Sequence, residues 1–149
     1  MDSKKIETIL NKDLTTLLND VSENLYKNNR VASGKTAKSL KVVTKIAGEK
    51  IIGTLFGSSV LDTLEYGRGK TKNPSSSATW AADLRGWMRI RGVPEGAFYP
   101  IWRKINRDGY KGTPGLISNP VDKFKKALGV SLKDEILKDF RSNGVNGKQ

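Results

Sequence analysis

Six apolar residues, Ile6, Leu10, Leu14, Leu17, Val21 and Leu25, recur every three or four positions near the start of the chain. No other pattern limits the fold as strongly. That spacing places all six on one face of an α-helix. Ile9 and Leu18 widen the stripe, Ser3 is positioned to cap its start, and Asn28-Asn29 stop it. A helix over 3–27 is roughly 36 Å long at 1.5 Å per residue. Its apolar face must be covered over that length, by later elements of the chain or partly by a neighbouring subunit.

The later sequence offers strands first and helices afterwards. Ser39 to Ile46 alternates, with Leu40, Val42 and Ile46 on one face and Lys41, Val43 and Lys45 on the other. A turn at Ala47-Gly48-Glu49-Lys50 leads into a second apolar run ending at Gly57, which predicts a β-hairpin whose lysines protect a solvated edge. Val60, Leu61 and Leu64 have the spacing of a short helix, and Asn73 to Ser77 has loop composition. Trp80, Leu84, Trp87, Met88 and Arg91 follow with helical spacing, closed by Gly92 and Pro94. Two tryptophans on one short helix predict an anchor against the sheet. A further helix is predicted over 95–108 on Phe98, Ile101, Trp102 and Ile105, with Pro100 tolerated in its first turn. Gly109, Gly112 and Gly115 mark a turn-rich link, and Leu116-Ile117 reads as a short strand. Asn119-Pro120 then reads as the start of a last helix carrying Val121, Phe124, Leu128, Leu132, Ile136 and Phe140, with Gly129 a candidate kink. The fold class is therefore α+β: a long N-terminal helix, a small antiparallel sheet built on a hairpin, and two or three helices packed on it. Residues 1–141 form one domain and 142–149 a flexible tail.

Composition narrows the chemistry. The chain has neither histidine nor cysteine. The commonest general acid–base, the usual partner of a nucleophilic serine and the softer metal ligands are all missing. No catalytic residue, cofactor or metal is expected. The enzyme alternative, a metal-dependent nuclease on Asp62, Glu65 and Lys70, lacks carboxylates evidently facing one cavity. Ser33-Gly34-Lys35-Thr36 superficially looks like a phosphate-binding loop, but Asn29 stands where that motif requires glycine and no strand precedes it. No apolar run reaches membrane-spanning length and no secretory h-region opens the chain, so synthesis in the cytoplasm is expected. The net charge is +12, of which +10 lies on residues 29–111. Such a surface meets nucleic acid, an acidic protein or water, and a basic nucleic-acid-binding module is the alternative function.

Two groups of side chains stand out as candidate contacts. Between Leu61 and Lys72, Glu65-Tyr66-Gly67-Arg68-Gly69 forms a corner in which a Glu65–Arg68 ion pair closes a turn made by the two glycines. It reads as a structural corner or as a subunit contact. Arg85 and Arg89, and likewise Arg103 and Arg107, sit one helical turn apart and form a proposed basic face.

The order of the pieces resembles a family of tailed-bacteriophage neck proteins, the head–tail joining or tail-completion components. Four motifs carry the resemblance over residues 5–140. They are Ser33-Gly34-Lys35-Thr36-Ala37-Lys38-Ser39-Leu40, Glu65-Tyr66-Gly67-Arg68, the tryptophan helix ending in Arg91-Gly92-Val93, and Ile101-Trp102-Arg103-Lys104-Ile105 with Gly109, Gly112 and Pro114. Gly115-Leu116 departs from the family pattern, which has an aromatic after the proline. The resemblance implies a non-enzymatic structural virion protein that forms a homo-oligomeric ring at the neck. Its neighbours would be portal, adaptor and tail proteins, with genomic DNA in the channel as a further contact. It implies no catalytic residues.

Overall fold

A computed structural model describes residues 3–31, 34–48, 50–70 and 78–145. The chain is α+β, as its periodicities predict. Helix α1 spans Ser3–Lys27 and buries Leu10, Leu14, Leu17, Val21 and Leu25. It ends in a left-handed Asn29 (φ 57°), with the Arg30 amide donating to the Leu25 carbonyl at 2.8 Å. After a single helical turn, α2 (Lys35–Lys38), where only a loop was expected, come β1 (Lys41–Ala47) and β2 (Lys50–Phe56). They pair antiparallel, Val42 opposite Leu55 and Ile46 opposite Ile51. One face of this hairpin lies on α1. The approach is close at Gly53, where an added Cβ would press into Leu10 and Leu14.

Helix α3 (Val60–Tyr66) follows, then α4 (Ala78–Ile90), a 3₁₀ turn (Glu95–Ala97), α5 (Phe98–Asp108) and the long α6 (Ser118–Val145). Helix α6 runs antiparallel to α1: Lys5 reaches Glu135 and Asp139 near one end (3.6 and 3.5 Å), and Lys123 reaches Asp20 nearer the other (2.8 Å). Val121, Phe124 and Leu128 join the α1 core, together with Leu40, Leu61 and Leu116. Helix α6 runs through Gly129 without a break and continues to Val145, past the expected end at Arg141.

Helices α4 and α5 build a second, smaller core from Leu84, Met88 and Phe98. This corrects the expectation that the tryptophan helix anchors on the sheet. Trp87 is 40% exposed. It sits about 100° around the helix from Met88, outside the arc that α5 covers. The Trp80 side chain and the predicted Asn73–Ser77 loop lie outside the described residues.

The α4–α5 lobe enters and leaves through two segments that pair with each other. The Arg68 and Tyr110 amides each donate to the other's carbonyl at 2.8 Å. Gly67 (φ 80°, ψ −168°) and Gly109 (φ 81°, ψ −168°) hold the same glycine-only conformation at the ends of α3 and α5. An added Cβ on Gly67 would strike the Tyr110 carbonyl, and one on Gly112 the Glu65 carbonyl. Both obstacles are backbone, so neither can yield. Gly69, by contrast, faces open space. Gly67→Ala and Gly112→Ala should each destabilise the chain by about 3 kcal/mol or more. Gly69→Ala should change stability by less than about 0.5 kcal/mol; chemical denaturation of the three variants distinguishes them.

Candidate functional site

The apolar spacing of α3 turns Leu61 and Leu64 toward the α1 core, and Glu65 goes in with them. Its side chain is a carboxylate at 2% exposure. Such burial is unfavourable unless every lone pair is used. Here they are taken by the start of α6. Oε1 accepts from the Gly115 amide at 3.0 Å and the Ser118 hydroxyl at 2.6 Å, and Oε2 accepts from the Ile117 amide at 2.6 Å. The negative charge thus sits against the positive end of a helix of 28 residues. Burial pushes the Glu65 carboxyl up, but the bonds from Ser118, Ile117 and Gly115 outweigh it and hold the group below its ordinary 4.5.

This geometry corrects two expectations. There is no Glu65–Arg68 pair. Gly67 turns the chain so that Arg68 joins the backbone bridge to Tyr110, and its guanidinium reaches the Asn106 side chain at 3.4 Å. The α6 start also lies ahead of Asn119-Pro120. The first helical bond runs from the Val121 amide to the Ile117 carbonyl at 3.0 Å, and the capping oxygens come from Glu65, more than 50 residues upstream. Leu116-Ile117 is a bend rather than a strand, because its groups serve this cap. Pro120 remains within the first turn, where no amide is required.

Of the five corner residues, Glu65 is therefore buried, and Gly67 is half-buried against the 110–112 backbone. Arg68 is half-buried, while Tyr66 and Gly69 face solvent. The four arginines of the proposed basic face divide similarly. Arg85 bonds Glu95 at 2.7 Å and stacks over Phe98 at 4.0 Å. Arg107 makes a two-pronged contact with Asp108 at 2.7 and 2.8 Å. Arg89 and Arg103 are exposed. Asp62 and Lys70 also face solvent, away from the oxygens of Glu65, so the nuclease constellation does not assemble. Among the described residues, no group of three or more acids is placed to hold a metal. No described helix is long and apolar enough to cross a membrane.

Two arginines outside the predicted set tie the lobe to the body. Arg91, at the end of α4, donates to the carbonyls of Asn29 and Val31 (both 2.8 Å) and to the Asn29 side chain (3.1 Å). Arg30 donates to the Thr113 hydroxyl (2.6 and 2.9 Å) and lies over the Tyr110 ring. Between lobe and body lies an open cleft of about 1100 Å³, lined in part by Arg30, Arg68, Arg91, Trp87 and Ile90.

The chain matches no family model, no curated protein and no solved structure.

Glu65→Gln keeps the shape and removes the charge, so it should cost about 1–3 kcal/mol near neutral pH. Because the folded carboxyl lies below 4.5, its stabilisation is fully present above that value and is lost as pH falls through the lower, folded value. Denaturant midpoints followed from neutral to acid pH should fall less steeply in Glu65→Gln than in the wild type; parallel curves would remove Glu65 from the account.

Proposed function

We propose that the chain is a non-enzymatic structural protein of a tailed-bacteriophage virion, forming an oligomeric ring at the head–tail junction. One observation carries the reading: two of the four motifs of the sequence resemblance, Glu65-Tyr66-Gly67-Arg68 and the segment with Gly109 and Gly112, meet directly, and the other two are tied to segments beside them. Ser39 accepts a bond from the Ser58 amide at the entry to α3, and Leu40 packs in the same core as Leu61 and Leu116. Glu65 and Gly67 meet the segment containing Gly112 and Gly115. Arg91 closes the tryptophan helix onto the turn after α1.

The distal part of α6 supports a neighbour-completed subunit. Val130, Ile136, Leu137 and Phe140 are exposed, Phe140 at 73%. They form a second apolar stripe beside the one that α1 covers. An apolar stripe of this kind is a protein-contact surface, and a repeated contact between unlike patches closes a ring. Tyr66, exposed at the corner, and Arg89 and Arg103 are the remaining candidates for contacts with portal, adaptor or tail proteins. The exposed lysines of the hairpin, Lys41, Lys45 and Lys50, favour a second reading as a nucleic-acid-binding surface.

Native mass spectrometry of the full-length chain should show a discrete closed oligomer. Phe140→Asp should dissociate it while changing monomer stability by less than about 0.5 kcal/mol. A monomer at every concentration, combined with submicromolar DNA binding that falls steeply with salt, would replace the ring with the nucleic-acid reading.

A further inference from the structure

We infer that the α4–α5 lobe is hinged: it turns as a unit about the Arg68–Tyr110 bridge, and Arg91 is the latch that fixes its orientation. The lobe is built as a separate body. Leu84, Met88 and Phe98 form its own core, distinct from the larger core around α1. Its helices pack chiefly on each other and on the 3₁₀ turn between them. Toward the body they face the open cleft of about 1100 Å³, where Trp87 and Ile90 remain 40% and 54% exposed. Walls that stand apart contribute no packing there, so the orientation of the lobe has to be set by its connections.

Those connections have the form of a pivot. The bridge is a single antiparallel pair outside the named strands, closed by two hydrogen bonds of 2.8 Å. On its lobe side each connection carries a glycine, Gly69 directly after Arg68 and Gly109 directly before Tyr110. Gly69 faces open space, and Gly109 holds φ 81°. Glycines absorb changes of φ and ψ more cheaply than other residues, and a hinge needs only a few of them. The body side of the bridge is held. The Thr113 amide donates to the Leu64 carbonyl at 2.7 Å, and Arg30 donates to the Thr113 hydroxyl.

Away from the pivot, Arg91 reaches from the end of α4 to the turn after α1. Its guanidinium donates to the Asn29 and Val31 carbonyls, both at 2.8 Å, and to the Asn29 side chain at 3.1 Å. Three bonds from one planar group fix an angle as well as a distance. Their acceptors lie on a turn that is itself anchored, through the left-handed Asn29 and the Arg30 amide on the Leu25 carbonyl. The bonds to Asn29 are exposed. Water can take their place, so the net strength of the contact is modest, as a releasable latch requires.

The hinge belongs to the single chain and does not depend on the ring reading. The full-length chain contains no cysteine, so pairs of spin labels can be attached at chosen positions. Lys12→Cys with Lys104→Cys reports the lobe against the body, and Lys12→Cys with Lys126→Cys reports α1 against α6; all three positions are exposed. Labelled chain diluted in excess unlabelled chain restricts the reading to distances within one copy. Double electron–electron resonance should give a narrow distribution for both pairs while Arg91 is present. Arg91→Ala should raise the population at displaced lobe–body distances at least about tenfold, because the latch bonds are lost, and leave the α1–α6 pair narrow. Arg91→Lys keeps the charge without the planar fork and should shift the lobe–body pair in the same direction. An unchanged lobe–body distribution in either variant, or broadening of both pairs together, would overturn the proposal.

Discussion

The Glu65 carboxylate is the interaction on which the rest of the architecture depends. A buried anion without partners is among the costliest features a fold can contain. This one is compensated only if the Gly115 and Ile117 amides and the Ser118 hydroxyl arrive together. Their arrival sets where α6 begins, and therefore how its apolar side chains align with α1. It also brings residues 109–113 against 64–68, where the Thr113 amide reaches the Leu64 carbonyl at 2.7 Å and the Arg68–Tyr110 bridge closes. Glycine is required at 67 and 112 because two backbones pass without room for a side chain. One charged group thus couples α3, the neck of the lobe and the longest helix.

What the sequence made legible was local. Periodicity placed α1, the hairpin, the tryptophan helix, α5 and the last helix, because each is encoded by neighbours three, four or two positions apart. Gly92 was readable as a helix end and adopts φ 66° there. The partner of Glu65 was not legible. An arginine three residues away is the obvious mate for a glutamate, whereas the donors that bind it are amides some 50 residues distant. Backbone donors leave no trace in side-chain identity. The same holds for Arg91, whose acceptors are two carbonyls and one asparagine. Trp87 misled for a different reason. Apolar character predicts burial only where another element covers that arc of the helix, and α5 covers Leu84 and Met88 instead.

The molecule divides its labour accordingly. The body has α1 flanked by the hairpin and α6 around the larger core. The α4–α5 lobe, with its own small core, rests on the body through a backbone bridge and two arginine tethers rather than through a shared hydrophobic interior. Polar tethers specify orientation while leaving the intervening surface available. That surface carries both arginines and apolar side chains, and the far half of α6 exposes Ile136, Leu137 and Phe140. The exposed apolar part of α6 is the surface on which the proposed ring contact rests.

The claim that a buried, ionised Glu65 organises the fold is tested most directly by its own titration. Carbon-13 NMR of the labelled Glu65 side-chain carboxyl in the folded protein should give a midpoint below the ordinary 4.5, reflecting the amide and hydroxyl donors around it. A midpoint at or above 4.5 would contradict the account, since burial would then outweigh those bonds and the helix start would be held by something else.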